Sequence, residues 1–380
     1  MTSLEEPKYL TISREIESQI LTGRHEGRKF PSTRDIAEEH GVSVVTASRA
    51  LQVLRDKGLI GTVGRSRSFL VKEAKSEADP VRPIERYALF LRSTPGPWQL
   101  ASRSIPVAGF LAAAGELDVQ IDYERFDLDD PARSADPARQ VAEAAELGVR
   151  GLFFMPSRHS DQSTRQDERL IEKCRDAGLP VVLLERNLRS SARPLECDLV
   201  ANDDLDGGYR STKHLIDQGR QRIAFVTGSP TSSHDGRIAG YLAALLDSTH
   251  RRKPFKDPIV LEQLSGLPTR DAYLDLADRI IGQKIDGVVC YQDYTAVGLI
   301  IELLTRRVTV PNDVAITGFD NLPIGNSFAL GVTTYEYPAR SIARHAIRLM
   351  RIRIEDPESP PVKVLVPGRL IVRESSLSQP

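Results

Sequence analysis

Seven short apolar stretches, spread over residues 87–319, constrain this chain more than any other feature in it. Residues 87–91 (YALFL), 119–123 (VQIDY), 151–155 (GLFFM), 180–184 (PVVLL), 222–226 (RIAFV), 287–290 (GVVC) and 314–319 (VAITGF) are each followed by an amphipathic segment or a turn. Short apolar runs that alternate with helical stretches pair in parallel, because each crossover helix covers a face of the sheet. So long a series of βα units exceeds one mononucleotide-type lobe. It fits an α/β body of two doubly wound lobes with a cleft between them, the cleft lying beyond the carboxyl ends of the strands.

The residues that follow those strands are polar: Arg92 and Ser93, Glu185 with Arg186 and Asn187, Gln292 with Asp293, and Asp320, with Met155 the exception. Carboxylates accept from paired hydroxyls and arginine donates in a fork, so the set suits a polyhydroxylated ligand such as a sugar. Trp98, the single tryptophan, sits in the loop TPGPWQL after the first strand, where its ring is either a stacking platform or a packed anchor. The same residue types also serve structure. Asp293 is placed to cap the helix YTAVGLIIELL, Asp320 to form an Asx-turn, and Glu185 with Arg186 to be surface charge.

The first 75 residues follow a different rule. Ile12, Ile16 and Ile20 recur every four residues between polar neighbours, which predicts a one-faced helix ended near Gly23. Ser32 followed by Asp35 is a capping-box-like helix start, and Gly41 ends that short helix. Ser43 then caps a third helix that turns Ala47, Ala50, Leu51 and Leu54 inward and leaves Val44, Val45, Thr46, Ser48 and Arg49 outside. Beyond it, LIGTV and SFLV flank Gly64, Arg65 and Arg67, a hairpin with arginines at its tip. A helix-turn-helix followed by a basic wing puts one helix in the major groove of double-stranded DNA and arginines near phosphates or the minor groove. Residues 1–75 hold 13 Lys and Arg against 10 Asp and Glu, in a chain whose net charge is −1, a small bias in the same direction.

Residues 73–84 (EAKSEADPVRPI) combine charge, small residues and two prolines without periodicity. The expected organisation is a winged helix over 1–75, a linker over 76–84 and a sensor over 85–380. Charged residues at 27% and the lack of an apolar run near the roughly 18 residues of a membrane span predict a soluble protein without a membrane partner, and the acidic start MTSLEEPKYL predicts a cytoplasmic one. Cys174, Cys197 and Cys290 are odd in number and far apart, as reduced structural cysteines are. No metal-ligand spacing, P-loop, G-x-S-x-G elbow or Cys–His pairing is present, so neither catalysis nor a cofactor is expected. Asp203 and Asp204 lack the spacing of a calcium loop and read as a helix start. His234 and Asp235 beside Arg237 suit helix capping as well as acid–base work.

Two resemblances follow from these residues. Over about 8–72, Tyr9 with Ile12 and Ile16, the segment GRHEGRKFPSTRDIA, VSVVTASRAL and KGLI resemble the GntR-type winged helix. That resemblance puts Arg34, Ser43, Val44, Thr46, Ser48, Gly64 and Arg65 where the family touches DNA. Arg49 and Arg67 add charge beside them. Val44 and Ser48 stand where that family often has arginine, which implies a different operator. Over about 85–376, LVANDDLDGGYRSTKHLIDQGRQRIAFVTG, VPNDVAITGFDN, GVTTYEYPARSIARHAIRLM and LIVRESS resemble the LacI/GalR regulators. This implies a periplasmic-binding-protein-like body whose chain crosses between lobes three times, with Glu185, Arg237, Gln292 and Asp320 at the effector and Asp293 adjacent; by position alone, Arg92 after the first strand and Trp98 in a loop expected to overhang the cleft join the candidate effector residues. The first lobe is then expected at about 85–190 and 326–353, the second at about 191–325 and 354–378. A GntR-type head on a LacI-type body is similar to the arabinose-regulator group of bacterial repressors. The implied function is a homodimeric repressor on a palindromic operator, controlled by a small polar effector; a solute-binding protein for carbohydrate transport is the rival reading, which the winged helix disfavours.

Overall fold

The structure is a computed structural model that describes residues 8–21, 30–56, 60–63, 67–70, 84–91, 103–126, 136–156, 161–189, 193–228, 231–248, 257–263 and 269–377. It divides into two compact units, Met1–Pro83 and Ile84–Pro380. Among the described residues no helix is long and apolar enough to cross a membrane.

In the first unit, α1 (Lys8–Leu21), α2 (Thr33–Glu39) and α3 (Val44–Asp56) precede the antiparallel hairpin β1 (Ile60–Val63) and β2 (Arg67–Leu70). Ser32 and Asp35 make the reciprocal capping box that starts α2. The chain reverses through Gly41 at φ +59°, a left-handed turn that glycine adopts without strain. Ile12, Ile16, Ile36, Ala47, Ala50, Leu51, Leu54 and Ile60 form the core, so every inward position expected on α3 is buried.

The second unit is built on two sheets, each six-stranded among the described residues. The first lies in the order β4 (Val119–Asp122), β3 (Glu85–Phe90), β5 (Leu152–Phe154), β6 (Val181–Leu184), β7 (Asp198–Asn202), β13 (Lys363–Val366), all parallel. The second runs β9 (Ile259–Glu262), β8 (Ile223–Thr227), β10 (Gly287–Cys290), β11 (Ala315–Asp320), β12 (Thr333–Glu336), β14 (Leu370–Ile371), parallel except for β14.

Both faces of each sheet are buried, which is why the strands read as continuous apolar runs. Along β3, Tyr87, Leu89 and Leu91 enter one core with Phe110, Phe153 and Ile347. Ala88 and Phe90 enter the opposite core, where Phe90 stacks on Phe126 at 4.5 Å. The first sheet is covered by α4 (Ile105–Leu117), α5 (Pro137–Glu146), α6 (Asp161–Asp176) and α12 (Ala339–Glu355). The second is covered by α7 (Asp204–Asp217), α8 (Ser232–Ser248), α9 (Arg270–Gly282), α10 (Asp293–Thr305) and the single turn α11 (Pro323–Ser327).

The chain passes between the lobes at residue 203, at 337–338 and at 367–369. These passages correct the expected lobe limits. β7 and β13, assigned from the sequence to the second lobe, lie in the first sheet, where Lys363 pairs with Leu199. β12, assigned to the first lobe, lies in the second sheet, with Thr333 opposite Thr317. The passages are fastened together by Tyr335, whose hydroxyl donates to Asp206 at 2.6 Å and accepts from the Gly368 N–H at 2.8 Å. A Cβ at Gly368 would sit 2.1 Å from the Glu336 carbonyl, so only glycine permits this approach.

Candidate functional site

In the first unit the outward side of α3 is the candidate nucleic-acid surface. The Ser43 hydroxyl accepts from the Thr46 N–H at 3.2 Å and lies 2.9 Å from the Thr46 hydroxyl, fixing the start of the helix. Val44 and Val45 are 52% and 67% exposed although they are apolar. Ser48 and Arg49 on the same helix, and Arg34 on α2, are exposed as well, while Thr46 is half-buried. Gly64 and Arg65 lie outside the described residues, as does the side chain of Arg67.

In the second unit a cleft opens between the two sheets. The first lobe lines it with Ile105 and Pro106 at the start of α4, Met155 after β5, and Glu185 with Arg186 after β6. The second lobe brings Thr231, Ser233, His234 and Arg237 from the start of α8, Tyr291 and Gln292 after β10, and Asp320 and Leu322 after β11. Tyr337, from the second passage, closes the ring.

Arg237 organises the second-lobe wall. Its Nε donates to Asp204 at 2.8 Å, one terminal nitrogen to the Tyr291 carbonyl, and the other to Asp320 at 3.5 Å. Its guanidinium also lies 4.2 Å from the centre of the Phe319 ring. With 5% exposure this arginine is buried. Burial works against its charge, but Asp204 and Asp320 outweigh burial and hold it protonated. Burial pushes the Asp204 carboxyl up, and Arg237 opposes that shift.

The pair exists because α7 and α8 pack backbone to backbone. A Cβ at Gly240 would meet the Leu205 carbonyl at 2.1 Å, and one at Gly208 would meet the Arg237 carbonyl at 2.0 Å. On the same wall, Tyr291 tilts against His234 at 4.9 Å and its hydroxyl accepts from Gln292 at 3.0 Å.

Glu185 stands apart. It is 9% exposed, with φ at +68°, an unusual backbone position for a residue with a side chain. Its Oε1 has no hydrogen-bond partner among the described residues, and Tyr337 lines the cleft with it. Burial, joined by the charges of Asp204 and Asp320, pushes its carboxyl up to about 7.

Of the residues singled out from the sequence, Glu185, Arg237, Gln292 and Asp320 meet in this cleft, with Met155 and Arg186 beside them. Asp293 does not. It is fully buried behind the cleft, where it accepts from the Leu322 N–H at 2.6 Å and faces the Cα positions of Gly318 and Gly325. Asn187 is also structural: its N–H donates to the Ser232 hydroxyl at 2.9 Å and its amide to the Arg193 carbonyl. Arg92, Ser93 and Trp98 lie outside the described residues.

Asp204, marked by its sequence context only as a helix start, is the partner of Arg237. Tyr291 and Tyr337 line the cleft although nothing in the sequence singled them out. Their only sequence signal is position, directly after a strand or within a passage between lobes. Among the described residues no cluster of three His, Cys, Asp or Glu is placed to hold a metal ion.

Comparison with known proteins sets these two sites in context. Residues 8–70 match the family "Bacterial regulatory proteins, gntR family", and residues 212–376 match "Periplasmic binding protein-like domain". The arabinose metabolism transcriptional repressor of Geobacillus stearothermophilus is 23% identical over 97% of this chain and 98% of that protein. The HTH-type transcriptional repressor PurR of Vibrio parahaemolyticus is 29% identical over 217 residues, 56% of this chain. That match spans 60% of the length of PurR, so the likeness to it is confined to part of each chain. A LacI family transcriptional regulator from Enterococcus faecium, solved with bound ribose, superposes with a TM-score of 0.57 at 22% identity. It covers 77% of this chain and 100% of its own. All three are named as regulators, not as enzymes.

Proposed function

We propose, from the match of residues 8–70 to the gntR family of bacterial regulatory proteins and of residues 212–376 to the periplasmic binding protein-like domain, that the chain is a sequence-specific transcriptional repressor controlled by a small polar effector. The observation that carries this reading is the presence, in one chain, of an exposed recognition-type helix and a two-lobed cleft walled by Glu185, Arg237, Gln292 and Asp320.

The α3 face enters the major groove, Val44 and Val45 meeting thymine methyl groups and Arg34 and Arg49 meeting phosphates. Two copies of the chain pair as a homodimer, so that two heads read the halves of a palindromic operator in the cytoplasm. The effector is a sugar or sugar derivative. Its hydroxyls suit the carboxylates and amide of the cleft, and of the similar proteins one is named for arabinose metabolism and one was solved with bound ribose. Effector binding shifts the balance between DNA-competent and DNA-incompetent forms by its differential affinity for the two.

Gel-shift titration with the DNA upstream of the gene, repeated with L-arabinose, D-ribose and cellobiose, tests the proposal. Sequence-specific retardation at moderate salt that one sugar reverses is the expected result. Absence of specific retardation overturns the regulator reading; retardation that no small polyol alters overturns the sugar reading alone.

A further inference from the structure

Glu185 does more in this fold than line a cleft. The loop that follows β6 is tied to the start of α8 in the opposite lobe by two hydrogen bonds, from the Ser233 hydroxyl to the Glu185 carbonyl at 3.1 Å and from the Asn187 N–H to the Ser232 hydroxyl at 2.9 Å. The Glu185 side chain, on the same loop, is buried with Oε1 unpartnered among the described residues, and Tyr337 of the second passage lines the same cleft. The acidic groups that face it, Asp204 at the start of α7 and Asp320 at the end of β11, both belong to the other lobe. The cationic groups around it are Arg186 on its own loop and Arg237 on α8, the latter committed to Asp204 and Asp320, and His234 lines the same wall.

We propose that Glu185 is a proton-dependent clasp between the two lobes, closed while its carboxyl is protonated and loosened when it ionises against Asp204 and Asp320. A protonated carboxyl lets the loop rest against α8 without adding a charge to a wall that already holds two carboxylates. An ionised one puts like charges on opposite lobes of a partly desolvated cleft, and opening toward water is what relieves them. The carboxyl's position near 7 puts this change inside the physiological range. Its burial and left-handed backbone keep it from turning out to solvent on its own.

The clasp rests on the cleft geometry and is read without DNA or sugar, so its failure is separate from failure of the regulator reading. Infrared spectra of the full chain across pH, taken as a difference against Glu185→Gln, should show a protonated-carboxyl C=O band that disappears with a midpoint near 7. Small-angle X-ray scattering over the same interval should show the radius of gyration rising in the unaltered protein and staying constant in E185Q. A band lost at the ordinary carboxylate range, a radius that ignores the titration, or an equal rise in E185Q would each overturn the proposal. If E185Q does not fold, the coincidence of the two midpoints in the unaltered chain decides, and midpoints that differ by more than about one pH unit sink it.

Discussion

The outward side of α3 and the wall of the cleft each present an arginine beside short polar side chains, yet they are assembled in opposite ways. On α3, Val44, Val45, Ser48 and Arg49 face solvent, and the helix is held by other residues, Ala47, Ala50, Leu51 and Leu54, on its far side. In the cleft, Arg237 is itself structural: it joins Asp204, Asp320, the Tyr291 carbonyl and the Phe319 ring while buried. The contrast teaches that the α3 face can vary in what it reads without cost to its scaffold. The cleft has no such separation, because the residues offered to a ligand also hold its wall together.

Arg237→Ala is the strongest way to break that contrast. It leaves Asp204 buried without its counter-charge, and removing one partner of a buried pair costs about 3–5 kcal/mol. Urea denaturation of the full chain, followed by far-ultraviolet circular dichroism, should show the transition of the larger unit falling to lower denaturant. Arg237→Lys should fall between the two, since it keeps the charge and loses both the fork and the stacking of a planar guanidinium over Phe319. A loss under about 1 kcal/mol for the alanine variant would put Arg237 in the same class as the exposed arginines of α3.

Ser43→Ala tests the one polar residue of the α3 face that is also a scaffold element. Its hydroxyl satisfies the Thr46 N–H at the helix start, and losing such a cap costs about 1 kcal/mol. The thermal transition of the smaller unit should move down, that of the larger unit should stay, and Ser43→Asp should restore most of the loss. If alanine leaves the smaller unit unchanged, Ser43 serves the surface alone.

The same division governs how much was legible in the sequence. Strands buried on both faces announce themselves as apolar runs, and all seven stretches noted became strands: β3, β4, β5, β6, β8, β10 and β11. The strands at the passages, β7, β12 and β13, were placed in the wrong lobe. A strand's pattern records that it is buried, not which sheet claims it, and Lys363 finds its partner Leu199 over a separation that no local period encodes.

In the cleft, Glu185, Arg237, Gln292 and Asp320 were found because strand ends and the resemblance point to them. Asp293, expected beside the effector residues or as a helix cap, does not line the cleft. In a helix start, residue n faces the cleft and residue n+1 turns beneath it, so Gln292 lines the wall while Asp293 accepts the Leu322 N–H. The Asp204–Arg237 pair was invisible because it depends on Gly208 and Gly240 letting two helices touch.

Arg49→Ala gives the smallest effect on the fold and the sharpest test of the α3 face. Arg49 is exposed and the helix core lies on the other side, so stability should change by no more than about 0.5 kcal/mol in the same denaturation experiment. DNA binding, in contrast, should weaken by a similar factor on specific and unrelated sequences. Removing a cation that neutralises one phosphate also lowers the slope of log affinity against log salt by about 0.9, so a titration series from low to moderate salt should show a shallower line by roughly that amount per subunit. An unchanged slope would remove Arg49 from the phosphate backbone. An unchanged slope with lost discrimination between sequences would move it to a base edge, and the α3 face would then carry specificity through its arginine rather than through Val44 and Val45.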